Sequence, residues 1–133
     1  MGRGKATRYA RARAVAPIGY QMPIFEVDAF GAITSFGSLH LLWGGHHWLE
    51  KESGVGEFSE GLPIRLTNMV PQGFSGRSFS TRFPELALPQ RIPDWTDDHR
   101  LISLALRGED CAGNLVVGNE SLKRMVQHEF VNV

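Results

Sequence analysis

A chain of 133 residues with one cysteine and fourteen acidic against fourteen basic side chains fits a single domain with a modest core. The lone Cys111 allows no internal disulfide, which suits a reducing compartment and excludes a disulfide-stapled secreted scaffold. No apolar run approaches the roughly 20 residues of a membrane span, and no apolar stretch follows the basic N-terminus as in a secretory signal, so a cytoplasmic location is expected by elimination.

The zero net charge conceals a split. Arg3, Lys5, Arg8, Arg11 and Arg13 precede the first acidic residue, Glu26, leaving the rest of the chain mildly acidic. Residues 1–18 lack apolar periodicity and close at Pro17, so they read as a basic arm. Its five cations are candidate nucleic-acid contacts, offering phosphate binding without base readout. The other reading is a solvated leader. The body, residues 19–133, begins with strand patterns. Tyr20 to Asp28 places Ile24 opposite Phe25 and Val27. Asp28-Ala29-Phe30-Gly31 is a turn. Ala32 to Trp43 alternates as a second strand, with a bulge expected at Gly37. Gly44-Gly45 signals a hairpin, and His46 to Glu50 returns as a third strand, antiparallel because the connections are too short for crossovers.

Residues 51–60 are polar and glycine-containing and read as a loop. Leu62 to Val70 is a helix candidate with Pro63 in its first turn. Pro71 to Arg77, PQGFSGR, reads as a glycine-rich connection to a short helix, Ser78 to Phe83, ended by Pro84. Residues 84–95 hold three prolines and read as an extended loop. Thr96 is an N-cap, followed by Asp97 and Asp98 where the helix dipole favours acids. Leu101, Ile102, Leu104, Ala105 and Leu106 form that helix's apolar side. The stretch Arg107 to Gly118 then organises the C-terminal half. Gly108 is expected to stop the helix in the left-handed region. Glu109 and Asp110 lie on a turn, Gly113 reverses the backbone, and Leu115-Val116-Val117 is a buried strand. Asn119 is placed to cap a last helix, Glu120 to His128. The order predicts an α+β fold: a small antiparallel β-sheet packed on one side by three to four short helices.

No catalytic constellation emerges. His46 and His47 would point to opposite faces of a strand, so with His40 they make a poor metal set. Glu109 and Asp110 read as turn carboxylates, and Cys111 as a packed thiol. PQGFSGR lacks the GK[ST] ending of a phosphate loop. Trp43, Trp48 and Trp95 are core or interface anchors. No metal, no cofactor and no catalytic residue is expected.

Three stretches in order, FGSLHLLWGGHHWLE, GLPIRLTNMVPQGFSGRSFSTRF and LPQRIPDWTDDHRLISLALRGEDCAGNLVVG, resemble the N-terminal subdomain of HipA-family serine/threonine kinase toxins, with PQGFSGR similar to the YjjJ-like branch. The resemblance spans about residues 2–128. In that branch a winged helix-turn-helix domain precedes the HipA part, and the opening GRGKATRYA looks like its tail. Phosphoryl transfer in the family belongs to a large C-terminal core that this sequence does not contain. The resemblance implies a non-catalytic module of a type II toxin–antitoxin system that binds or regulates a HipA-type kinase, as HipS-like small proteins neutralise a separate HipT-like kinase. The alternatives are a toxin fragment without independent activity and a DNA-associated protein acting through the arm. Trp48 and Phe74 are the candidate partner-binding anchors.

Overall fold

The computed structural model describes residues 11–70, 73–108, 111 and 113–131, without the side chains of residues 73–77, 125 and 127–131. Five strands, β1 (Gln21–Val27), β2 (Ile33–Leu41), β3 (His47–Lys51), β4 (Gly56–Ser59) and β5 (Leu115–Val117), form one antiparallel sheet in the order β4-β3-β2-β1-β5. Four helices accompany it: α1 (Ile64–Thr67), α2 (Gly73–Arg82), α3 (Asp97–Arg107) and α4 (Gly118–Val131). The fold is the α+β arrangement that the order of patterns predicts.

Alternation along the strands separates two faces. Met22, Leu39 and Leu49 are cross-strand neighbours on the inner face, and Ile24 pairs with Val117. They share one core with Leu66 of α1, Phe79 of α2, Trp95, and Leu101 and Leu104 of α3. The bulge falls where expected: Ile24 faces Gly37 and Phe25 faces Ser35, leaving Phe36 as the extra residue. Gly37 has a second reason to be glycine, since a Cβ there would overlap the backbone carbonyl of Glu50 on β3. Gly44 and Gly45 take positive φ in the β2–β3 turn.

Several local expectations are corrected. The segment read as a loop, 51–60, contains β4. Its four residues are too few to show alternation, and it sits at the sheet edge with Glu57 and Phe58 exposed. α1 is shorter than Leu62 to Val70, and Pro63 precedes it as the N-cap. The Thr67 hydroxyl turns back 3.3 Å to the carbonyls of Leu62 and Pro63, a local bond that competes with helix propagation. The glycine-rich connection is helical from Gly73, as part of α2; Pro71 and Gln72 lie outside the described residues. Tertiary packing overrides the poor propensity: Phe79 meets Phe83 at 4.9 Å and Trp95 at 6.3 Å between ring centroids. Trp95 is a core residue whose indole N–H donates to the Pro89 carbonyl at 2.7 Å. The proline-rich stretch is broken by short 3-10 turns at Pro84–Leu86 and Ile92–Asp94.

Thr96 caps α3 as expected. Its hydroxyl accepts from the His99 amide, and His99 Nδ1 accepts from the Thr96 amide at 2.9 Å, so a histidine completes the capping box. Gly108, however, has φ −63°, not a left-handed value. It is glycine because Ser121 of α4 presses against it: a Cβ would lie 2.8 Å from Ser121 Oγ. That buried hydroxyl accepts from the Gly108 amide at 2.9 Å and donates to the Leu104 carbonyl at 2.6 Å. The left-handed glycines of this junction are Gly113 and Gly118. Asn119 lies inside the first turn of α4 instead of capping it, and the helix extends to Val131. Glu109 and Asp110 lie outside the described residues. In β5, Leu115 and Val117 join the main core; Val116 is also buried but stands outside that cluster, opposite Phe25.

Two stability outcomes follow. Ser121→Ala leaves a buried amide and carbonyl unpaired and should cost about 1–3 kcal/mol in urea unfolding, and Gly108→Val should cost at least as much through overpacking. Val117→Asp places an unpaired charge in the core and should remove several kcal/mol, more than Val116→Asp. An unchanged urea midpoint for Val117→Asp would contradict the position of β5.

Candidate functional site

The helices cover one face of the sheet; the other carries two rows of cross-strand neighbours. Gln21, His40, Trp48 and Phe58 form one row, and Pro23, Ser38, Glu50 and Gly56 the next. Trp48 and Phe58 are exposed at 38% and 47%, and exposed aromatics of this size on a sheet face are unusual without a partner to cover them. Trp48 is nevertheless held in place. Its indole lies against Gly56, where a Cβ would overlap the ring atoms Cζ2 and Cη2. Phe58 meets the His46 ring at 5.0 Å, tilted by 34°. His40 Nε2 lies 3.5 Å from Glu50 on the same face. Trp43 and Tyr20 add exposed aromatic surface beyond the end of β2. The surface is therefore preorganised and apolar, with one acid and two imidazoles among its aromatics.

Of the two candidate anchors, Trp48 is on this surface. Phe74 belongs to α2 by its backbone, but its side chain lies outside the described residues. Sequence reasoning weighed His46 only as a poor metal ligand and did not single out Phe58 or Gly56, whose signal, Gly-x-Phe after a loop, becomes informative once β4 is known to pair with β3.

The basic arm divides. Arg3, Lys5 and Arg8 lie outside the described residues. Residues 11–13 are bound to the body: Ala12 bridges Leu42, the Arg13 amide donates to the Leu41 carbonyl, and the Trp43 amide donates to the Arg11 carbonyl, both at 2.9 Å. The Arg11 guanidinium sits 5.8 Å above the Trp43 ring. Arg13 makes a bidentate pair with Asp98 at 2.8 and 2.9 Å, which holds the Asp98 carboxyl below the usual carboxylate range and raises Arg13 further. Arg13 is thus committed within the fold, while Arg11 remains exposed.

The three histidines do not converge. His46 Nδ1 lies 3.2 Å from the Trp43 carbonyl and His40 lies beside Glu50, whereas His47 is buried on the inner face. Among the described residues no three His, Cys, Asp or Glu side chains are placed to share a metal ion. Cys111 Sγ packs 3.7 Å from the Arg107 carbonyl, half-buried.

Among the described residues no helix is long and apolar enough to cross a membrane. No solved structure gives a significant match. Toxin YjjJ of Escherichia coli (strain K12) is 30% identical over 127 residues, covering 94% of this chain but 28% of its own length. The chain thus spans little more than a quarter of that curated relative. A family described as YjjJ-like toxin, middle domain, matches residues 18–126, and the chain belongs to that family.

Proposed function

We propose that this chain is a non-catalytic docking module of a YjjJ-like toxin system, binding or regulating a HipA-type serine/threonine kinase core. The observation that carries the proposal is the aromatic face of the sheet. Trp48 is fixed over Gly56 beside Phe58, all on the face the helices leave bare. Family membership supports a toxin-related role. The kinase partner rests on the resemblance of the three stretches to the HipA N-terminal subdomain. In such an architecture the module docks beside the core, and a face built to be covered is what docking requires. Trp48 is the first anchor and Phe74 the second. On this proposal the chain itself transfers no phosphoryl group, because the family's catalytic aspartates and nucleotide-binding lysine belong to the core. The alternative is a toxin fragment without independent activity.

Weak DNA contact through the arm is a lesser reading, since Arg13 is paired with Asp98. It would involve Arg11 with Arg3, Lys5 and Arg8, and should fade at physiological salt.

Co-expression with a HipA-type kinase core from the same genome should give co-purification and relief of that kinase's growth inhibition. Trp48→Ala should weaken the complex by about tenfold or more, the effect of losing an interface anchor, while changing the chain's own stability by less than about 1 kcal/mol. Gly56→Val should displace the indole and weaken the complex similarly. Absence of co-purification together with unrelieved toxicity would favour the fragment. Calorimetry on the purified chain should detect no magnesium-dependent ATP binding; micromolar affinity would overturn the non-catalytic assignment.

A further inference from the structure

His47 is the one fully buried histidine among the described residues, 1% exposed, and neither ring nitrogen has a hydrogen-bond partner. It points from β3 to the inner side of the sheet, between Leu41 and Ser59 on the neighbouring strands. The charged groups acting on it come from two other segments: Asp97 and Asp98 in the first turn of α3, and Arg13 from the arm. The Gly61 carbonyl also favours a protonated ring, though it does not reach hydrogen-bond geometry. The carboxylates are already engaged. Asp98 holds Arg13 in the bidentate pair, and Asp97 holds Arg100 at 2.8 Å while accepting the Leu62 amide at 3.1 Å. Both carboxylates favour a proton on the ring and Arg13 opposes it, but burial is the largest influence and disfavours the imidazolium.

We infer that His47 is the trigger of an acid-sensitive latch: when its ring is protonated, the Arg13–Asp98 pair opens and the arm leaves its seat against the end of β2. The elements around His47 differ in how firmly they are held. Beside it β3 is paired on both sides, whereas residues 11–13, just ahead of Val15 in the core, are joined to the sheet by the bridge at Leu42, two backbone bonds and Arg13. The Arg13 amide bonds the carbonyl of Leu41, the cross-strand neighbour of His47, so release of this segment lets water approach the imidazolium, and freeing Asp98 gives that cation a counter-charge.

The direction of the pH effect follows. Burial holds the His47 pKa below the ordinary imidazole value of about 6.5. Between the two values the open state binds more protons, so the closed latch loses stability as pH falls below about 6.5, and the loss levels off below the folded value. Asp98 stays ionised through this window because Arg13 depresses its pKa. Of the other histidines, His99 lies near Asp98 in the capping box and is half-buried, and His46 is on the β2–β3 turn.

The test is nitrogen-15 NMR of the 133-residue chain between pH 8 and 5. The backbone amides of Arg13 and Trp43 report the arm, and those of Ile24 and Leu39 report the sheet. The arm signals should be lost from their bonded positions below about pH 6.5, while the sheet signals remain. Their midpoint should coincide with the titration of the His47 ring. His47→Phe should keep the arm seated to pH 5, and Asp98→Asn should release it already at pH 8. If His47→Phe does not fold, the coincidence of midpoints in the unaltered chain decides. The latch is overturned if the arm stays seated to pH 5, if it leaves with another histidine's midpoint, or if the sheet signals are lost together with it.

Discussion

The hydroxyl of Ser121 sets the register of the helical layer. The end of a helix leaves carbonyls and amides in need of partners, and the expected solution at a glycine is a left-handed turn. Here Ser121, wholly buried, binds the Gly108 amide and the Leu104 carbonyl together. One side chain from α4 thereby finishes α3, and the two helices can meet only at the distance a Gly108 without Cβ allows. That contact fixes how α4 leaves β5, and so how β5 lies beside β1. With the helices committed to the inner face, no element among the described residues covers Trp48 and Phe58.

Much of the α+β frame was legible because its signals were local. Alternation marked β1, β2 and β3, Thr96 marked the start of α3, and the Leu115-Val116-Val117 run marked β5. What the sequence obscured depended on distant contacts. The helical start at Gly73 is supported by Phe79 and Phe83 packing near Trp95, against the propensity of two glycines. β4 is a strand through its pairing with β3, which no pattern within residues 51–60 displays. Gly108 was recognised as significant for the wrong physical reason, since a glycine needed for close approach and one needed for positive φ look alike in sequence. At the candidate site Trp48 was legible as a strand aromatic and candidate anchor, but its neighbours Phe58 and His46 were not, because they come together through the unseen pairing.

β3 serves two chemistries through one alternation. His47 points inward, buried and subject to the charges of Asp97, Asp98 and Arg13, while Trp48 points outward over Gly56. The aromatic face and the buried imidazole are consecutive residues of one strand, each fixed by the same hydrogen bonds to β2 and β4. A shift of one residue in that register would exchange them, exposing the histidine and burying the indole. The pairing of a short strand on both sides therefore defines both surfaces at once.

The pairing of β5 with β1 has a consequence for how the molecule is made. Ile24 and Val117 are neighbours in the sheet although about ninety positions separate them, so the loop between them must close before their contact contributes anything. The hairpins of β1 to β4 are local and can assemble early, whereas the outer edge of β1 waits for the last quarter of the chain. During synthesis that edge is an unpaired strand with an apolar side, the type of surface that recruits wrong partners. Folding of this protein should therefore be slow relative to a helical domain of its size, and its time of greatest exposure to aggregation falls just before β5 is complete.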